Sequence, residues 1–259
     1  MIQNVETSFL ITDRLKSTRL PKKILLEVQG KPLIVHMLDR IKHATSIDKI
    51  IICTSTNPQD DPLEKIAAQE NVFCYRGSED DVLARLLEAA KSHDLEYFAN
   101  FTADCPMMDP KLNDCAVMEY QTSDADLLMY EDSNNDIPFG CYMIKVTALE
   151  KVCQQKKETD TEDWDKHFTS NPDLKISSID VEDKYRHKTL KTSLDYPEDY
   201  EFIKHVFSEL YQQDVVFSIL EIIDLVKRRP DILNINANSE LTRRWKQHRQ
   251  RLQKGFVKQ

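Results

Sequence analysis

Residues 8–25 read SFLITDRLKSTRLPKKIL, an apolar run of strand length that breaks at Asp13 into a glycine-free loop carrying Arg14, Lys16, Arg19, Lys22 and Lys23. A short apolar segment followed at once by clustered cations predicts a buried strand whose carboxyl end opens on a binding edge, because open parallel sheets hold ligands there. Working outward, Leu33, Met37, Leu38 and Ile41 recur at helical spacing across Pro32 to Ala44, behind a proline suited to a first turn. A second buried strand is predicted at Lys49 to Thr54, then a helix over Pro62 to Glu70, a strand at Val72 to Tyr75, a helix over Asp80 to His93 and a strand at Tyr97 to Thr102. This alternation predicts an α/β fold with a doubly wound, mostly parallel sheet.

The second half is less regular. Strands are predicted at Ala125 to Tyr130, Phe139 to Val146, Leu174 to Ile179 and Leu190 to Leu194, with a mobile polar loop over Gln154 to Asp163. From Pro197 the pattern turns helical, through Phe202, Val206 and Leu210, then through Ile219, Ile223 and Val226 to a stop at Arg228-Arg229-Pro230. A basic polar helix is predicted beyond Asn236.

Composition narrows the function. The chain has 259 residues and a net charge of −9, which disfavours non-specific attraction to nucleic acid or an anionic membrane. Its four glycines, Gly30, Gly77, Gly140 and Gly255, are too far apart for either glycine-rich phosphate loop. A bound polyphosphate must therefore be held by cationic side chains and helix ends. The six cysteines include no C-x-x-C pair, which argues against a structural zinc site. Neither a basic, apolar leader nor a long apolar run is evident, so a reducing, cytoplasmic location is expected.

The loop chemistry suits an anion. Forked guanidinium groups at Arg14 and Arg19, the hydroxyls of Ser17 and Thr18, and the turn imposed by Pro21 match a phosphate chain. Here the chain resembles a family of nucleotidyltransferases that includes the CMP-Kdo and CMP-sialate synthetases and, more closely, the spore-coat-polysaccharide-type cytidylyltransferases. Arg14, Ser17, Thr18, Arg19, Leu20, Pro21, Lys23 and Leu25 fall in register on the family's opening motif. The resemblance implies a nucleotide-diphospho-sugar transferase fold with a small β/helical dimerisation or acceptor insertion, and a catalytic role for Arg14, Arg19 and Lys23 on a nucleoside triphosphate. Ser17 and Thr18 would contact the nucleotide. Two departures stand out: Asp13 replaces a small residue, and Lys22 replaces glycine.

Gly77-Ser78-Glu79-Asp80-Asp81-Val82-Leu83-Ala84-Arg85 is similar to a second family segment. Read physically, Ser78 is a candidate N-cap ahead of a helix buried through Leu83, Leu86, Leu87 and Ala90, with acids complementing the helix dipole. The family adds that Gly77 and Ser78 approach the nucleotide and that Asp81 and Arg85 lie near the substrate.

Phe101-Thr102-Ala103-Asp104-Cys105-Pro106 leaves a predicted strand at the same sheet edge as the basic loop, and resembles the family's metal-binding element, with Thr102 and Ala103 at the nucleotide. Asn100 stands where arginine is more usual. Leu190 to Tyr200 is similar to the element that supplies the second ligand, with Lys191 in place of arginine and directed at the substrate. Asp104 and Asp195 are thus the implied metal ligands, and paired carboxylates favour Mg²⁺. Glu198 and Asp199 read as first-turn acids. Cys105 has no nearby histidine and reads as a packing residue. Lys184, Arg186, His187, Lys188 and Lys191 form a cationic stripe that could face an anionic second substrate or solvent.

The chain is accordingly read as one domain, 1–259, with a nucleotide-binding half (1–130), an acceptor- and metal-completing half (131–217) and a C-terminal helical segment (218–259). The resemblance implies transfer of CMP from CTP to an anionic acceptor with release of pyrophosphate, in a homodimer, with neither nucleic acid nor membrane as partner. A guanylyl- or other nucleotidyltransferase acting on a sugar 1-phosphate stays open, as does a catalytically weakened nucleotide-binding scaffold.

Overall fold

The computed structural model describes residues 6–130, 140–187 and 189–237. Strand β1 (Ser8–Thr12) is buried throughout, and the small hairpin of β2 (Glu27–Val28) and β3 (Lys31–Pro32) follows the basic loop. Gln29 and Gly30 turn that hairpin with φ of 51° and 76°, the positive pair that a tight hairpin twist requires. Next come α1 (Leu33–Lys42), β4 (Lys49–Ser55), α2 (Asp61–Gln69), β5 (Phe73–Gly77), α3 (Val82–Ser92) and β6 (Tyr97–Thr102). The second half holds α4 (Pro110–Thr122), β7 (Leu127–Tyr130), β8 (Tyr142–Lys145), α5 (Val146–Gln155), α6 (Asp165–Thr169), β9 (Ile176–Ile179), α7 (Pro197–Leu210), α8 (Ile219–Arg228) and α9 (Pro230–Ala237).

The main sheet runs β5-β4-β1-β6-β8-β7-β9. Strands β5, β4, β1 and β6 are parallel, β8 is antiparallel to β6 and β7, and β9 is parallel to β7. Both faces are covered, which is why β1 is apolar without alternation. Phe9 and Ile11 pack into the core shared with α1, α4, α7 and α8, while Leu10 packs on the other face with Leu83, Leu86, Leu149 and Phe168. From β1 the chain builds outward to β4 and β5, then returns to place β6 on the other flank of β1. The switch point therefore lies between β1 and β6, where Thr12 and Thr102 are in register and the Ala103 N–H donates to the Thr12 carbonyl at 3.1 Å.

Two expectations are corrected. Leu190 to Leu194 forms no strand; Leu190 and Leu194 are buried and imitate strand patterning, but the Leu194 N–H donates to the Asp104 carbonyl at 2.7 Å instead of a sheet neighbour. Gln154 to Asp163 is not a free loop. Its first two residues complete α5, and Thr161 anchors the remainder, fully buried, with Oγ1 accepting from the Leu83 N–H at 3.1 Å and donating to Asp81 at 3.0 Å. The basic helix predicted beyond Asn236 falls, after α9, outside the described residues. Among those described, no helix is long and apolar enough to cross a membrane.

Thr161→Val removes both hydrogen bonds at nearly constant volume. It should cost about 1–3 kcal/mol in urea unfolding and speed proteolytic cleavage within 156–163. Unchanged stability and an unchanged cleavage pattern would contradict the anchoring.

Candidate active site

Because β1 and β6 end in register, Asp13 and Asp104 leave the sheet side by side. The Asp104 carboxylate accepts from Thr102 Oγ1 at 2.5 Å and from Lys23 Nζ at 2.8 Å. The segment before α7 joins them: Lys23 Nζ donates to the Leu194 carbonyl at 2.7 Å and lies 3.6 Å from Asp195. Arg19 meets the same Asp195 oxygen at 3.4 Å, and Lys191 meets the other at 3.1 Å. Arg19 also reaches the Tyr196 hydroxyl at 3.3 Å and lies over its ring at 5.1 Å. Three stretches far apart in sequence thus converge on one ammonium group.

The charges are tightly balanced. Burial raises the Asp195 pKa, but the Lys191 and Lys23 ammoniums and the Arg19 guanidinium outweigh it and hold the carboxyl below its usual range. Burial likewise opposes charge on Lys23, yet Asp104, Asp195 and Asp13 keep its pKa above the ordinary lysine value. Asp13 is pushed up to about 7 by burial and by Asp104 beside it. Cys105 is raised well above the ordinary thiol value by burial and by Asp104, so its thiol stays protonated and packs.

Lys22 has φ 53° and ψ 32°. This is the left-handed conformation that glycine adopts freely, retained here by a lysine at a cost of roughly 1–2 kcal/mol. The turn that aims Lys23 thus survives the loss of the glycine.

Arg14 lies on another rim. Its guanidinium donates to the Glu79 carbonyl and to Asp80, both at 2.8 Å, and lies 3.3 Å from Glu162. Arg85 is 1% exposed and braces the same turn, donating to the Ser78 carbonyl at 2.5 Å and the Glu79 carbonyl at 3.2 Å. Gly77 ends β5 where a Cβ would come 3.0 Å from the Tyr75 ring and 3.2 Å from Arg85. Ser78 is not the helix cap. Asp81 caps α3 by accepting from the Ala84 N–H at 3.0 Å, while Ser78 Oγ accepts from the Asp81 N–H at 3.1 Å. Asp81 is also ion-paired with Lys156, and Arg14 lies on the rim where Gly77, Ser78, Asp81 and Arg85 gather.

Ser17 Oγ accepts from the Leu20 N–H at 3.3 Å and shapes the basic loop, Thr18 is exposed, and Ala103 is buried. Asn100 is buried within β6 and donates to the Leu10 carbonyl at 2.7 Å. Lys191, read from sequence as facing substrate, is instead fully buried beneath Asp195, paired with it and with Asp199. Of the cationic stripe, Lys191 is buried, Lys184 pairs with Glu182 and Arg186 with Asp180, and Lys188 lies outside the described residues.

Sequence reasoning gave Asp199 and Asn236 no role at the site. Asp199 is buried and caps the start of α7, accepting from the Tyr196 N–H at 3.0 Å while its own N–H donates to the Tyr196 carbonyl at 3.0 Å. Two asparagines, Asn234 and Asn236, interrupt the apolar run ILNINA, and they were the available signal for Asn236.

A family model described as Cytidylyltransferase matches residues 8–250. Spore coat polysaccharide biosynthesis protein SpsF of Bacillus subtilis is 26% identical over 232 residues, 86% of this chain and 95% of that protein. A 3-deoxy-manno-octulosonate cytidylyltransferase of Chlorobium phaeobacteroides is 34% identical over 110 residues, 41% of this chain and 42% of that protein. Among solved structures, a cytidylyltransferase from Leptospira borgpetersenii superposes with a TM-score of 0.81 at 25% identity, covering 91% of this chain and 98% of that one.

Lys23→Met should leave Asp104 and Asp195 facing each other without their shared cation, at a cost of roughly 3 kcal/mol at neutral pH. The deficit should shrink as pH falls toward the carboxylate range, since protonation removes the repulsion in the variant while wild type loses the stability that Asp195's lowered pKa confers. Urea unfolding across pH checks this; a deficit that grows on acidification would contradict it.

Proposed function

The chain belongs to the cytidylyltransferase family, and from that premise we propose that it transfers CMP from CTP to an oxygen of an anionic keto-sugar acid, or a related sugar of surface-polysaccharide biosynthesis, releasing pyrophosphate. The observation that carries this reading is the meeting of Asp104 and Asp195 around Lys23 at the sheet's switch point. Two carboxylates that already draw an ammonium between them are a hard-oxygen donor set suited to Mg²⁺, which binds through one or two carboxylates and phosphate oxygens. Asp104 and Asp195 would hold the ion, which when bound supplies positive charge at the phosphate oxygens.

The acceptor hydroxyl oxygen attacks the α-phosphorus, its proton passes to solvent, and the bond from the α-phosphorus to the departing pyrophosphate oxygen breaks. Lys23 and Arg19, beside the carboxylates, neutralise charge that grows on the leaving group. Arg14 serves the same end from the opposite rim, with Ser17 and Thr18 as hydroxyl donors and the Gly77-Ser78 turn, Thr102 and Ala103 against the nucleotide. Arg14's present partners favour this: the Asp80 and Glu162 side chains are 57% and 72% exposed. Exposed ion pairs are weak, so a triphosphate can displace them. Asp81 and Arg85 shape the substrate side of this rim. Catalysis is positioning plus electrostatics, with no covalent enzyme intermediate.

Pyrophosphate release from CTP, assayed with a panel of keto-sugar acids and Mg²⁺, tests the proposal. Arg14→Ala or Lys23→Met should lower kcat/KM on the order of a hundredfold. Asp104→Ala should fall to background while keeping its fold, and EDTA should abolish wild-type turnover. Wild-type activity in Asp104→Ala, or turnover indifferent to EDTA, would overturn the metal assignment.

A further inference from the structure

Asp195 does not stand alone on its turn. Its own N–H and that of Tyr196 both donate to the same oxygen of Asp199, each at 3.0 Å. That oxygen also receives Lys191 Nζ, which donates to the Ser193 carbonyl at 2.9 Å and touches the Asp195 carboxylate. The second Asp199 oxygen accepts from Asn236 Nδ2 at 2.9 Å, and the same nitrogen donates to the Lys191 carbonyl at 3.0 Å. Both groups facing Asn236 are acceptors, so its amide nitrogen must point at them. Lys191 is 1% exposed, Asp199 1% and Asn236 0%, so water cannot stand in for any of these bonds.

A first-turn acid satisfied by the helix dipole needs none of this. Asp199 is instead a buried carboxylate that accepts hydrogen bonds from Lys191, Asp195, Tyr196 and Asn236, and the last of these donors comes from α9. We infer that Asn236 is a positioning residue for Asp195, acting through Asp199 and Lys191 to fix the turn that presents the carboxylate. Buried partners behind a metal-ligating carboxylate orient it and set its affinity. The consequence for metal rests on the functional reading above; the consequence for the turn does not.

The test is made on the full chain with Asn236→Leu, close in volume but without a donor, alongside Asp195→Asn. Hydrogen exchange at the Asp195 and Tyr196 amides is measured beside Mn²⁺ affinity by paramagnetic resonance. Asn236→Leu should lose about tenfold or more in protection at those two amides while β1 and β6 keep theirs, and should weaken Mn²⁺ binding about tenfold to a hundredfold. Wild-type protection at both amides overturns the inference. So does lost protection with unchanged Mn²⁺ affinity, if Asp195→Asn itself weakens binding. Lost protection with Mn²⁺ affinity unchanged in both variants upholds the positioning and refutes the assignment of Asp195 to metal. Should Asn236→Leu fail to fold, the smaller Asn236→Ala is measured in the same way.

Discussion

One ammonium group organises this molecule's sheet edge. Lys23 Nζ touches Asp104, the Leu194 carbonyl and Asp195, and so ties the loop after β1, the turn after β6 and the segment before α7 into one unit. Two half-buried carboxylates so close would repel; a shared cation turns that liability into a clamp, provided every remaining lone pair is satisfied. Thr102, Lys191 and Arg19 supply those partners. On the proposed reading the same electrostatic hollow receives a divalent ion and the phosphates it carries.

On the proposed reading, the chain, with so few glycines, answers the problem of a polyphosphate by other means. A backbone cradle needs residues that take positive φ freely. Here one such position is kept by Lys22 despite its side chain, and the positive charge comes from long side chains reaching in from both rims. Arg14 and Lys16 are meanwhile held by half-buried Glu79 and by Asp80 and Glu162, exposed acids that keep the basic loop shaped without binding it strongly.

Much of this was legible in the sequence. Strands β1 and β6 fall on their predicted residues because each is a short apolar run ended by an abrupt polar break, a local signal. Lys23, Asp104 and Asp195 could be named beforehand because each falls on a motif that the chain shares with the family it resembles. The 190–194 stretch was misread because its shape is fixed by a hydrogen bond from Leu194 to Asp104, which no local pattern encodes. The 156–163 loop was misread because one buried threonine outweighs its polar neighbours. Lys191 resembled a substrate-facing cation, but its charge is answered from beneath by Asp199, and Asn236 belongs to a helix too far along the chain for spacing to connect.

The account turns on whether Asp104 and Asp195 hold one cation together. Anomalous diffraction from a crystal soaked with Mn²⁺ and CTP reads this directly. A single manganese peak within about 2.0–2.3 Å of an oxygen from each carboxylate, with Lys23 turned toward the phosphates, is the predicted result. Manganese bound to one acid only, or away from both while Lys23 still bridges them, would contradict it.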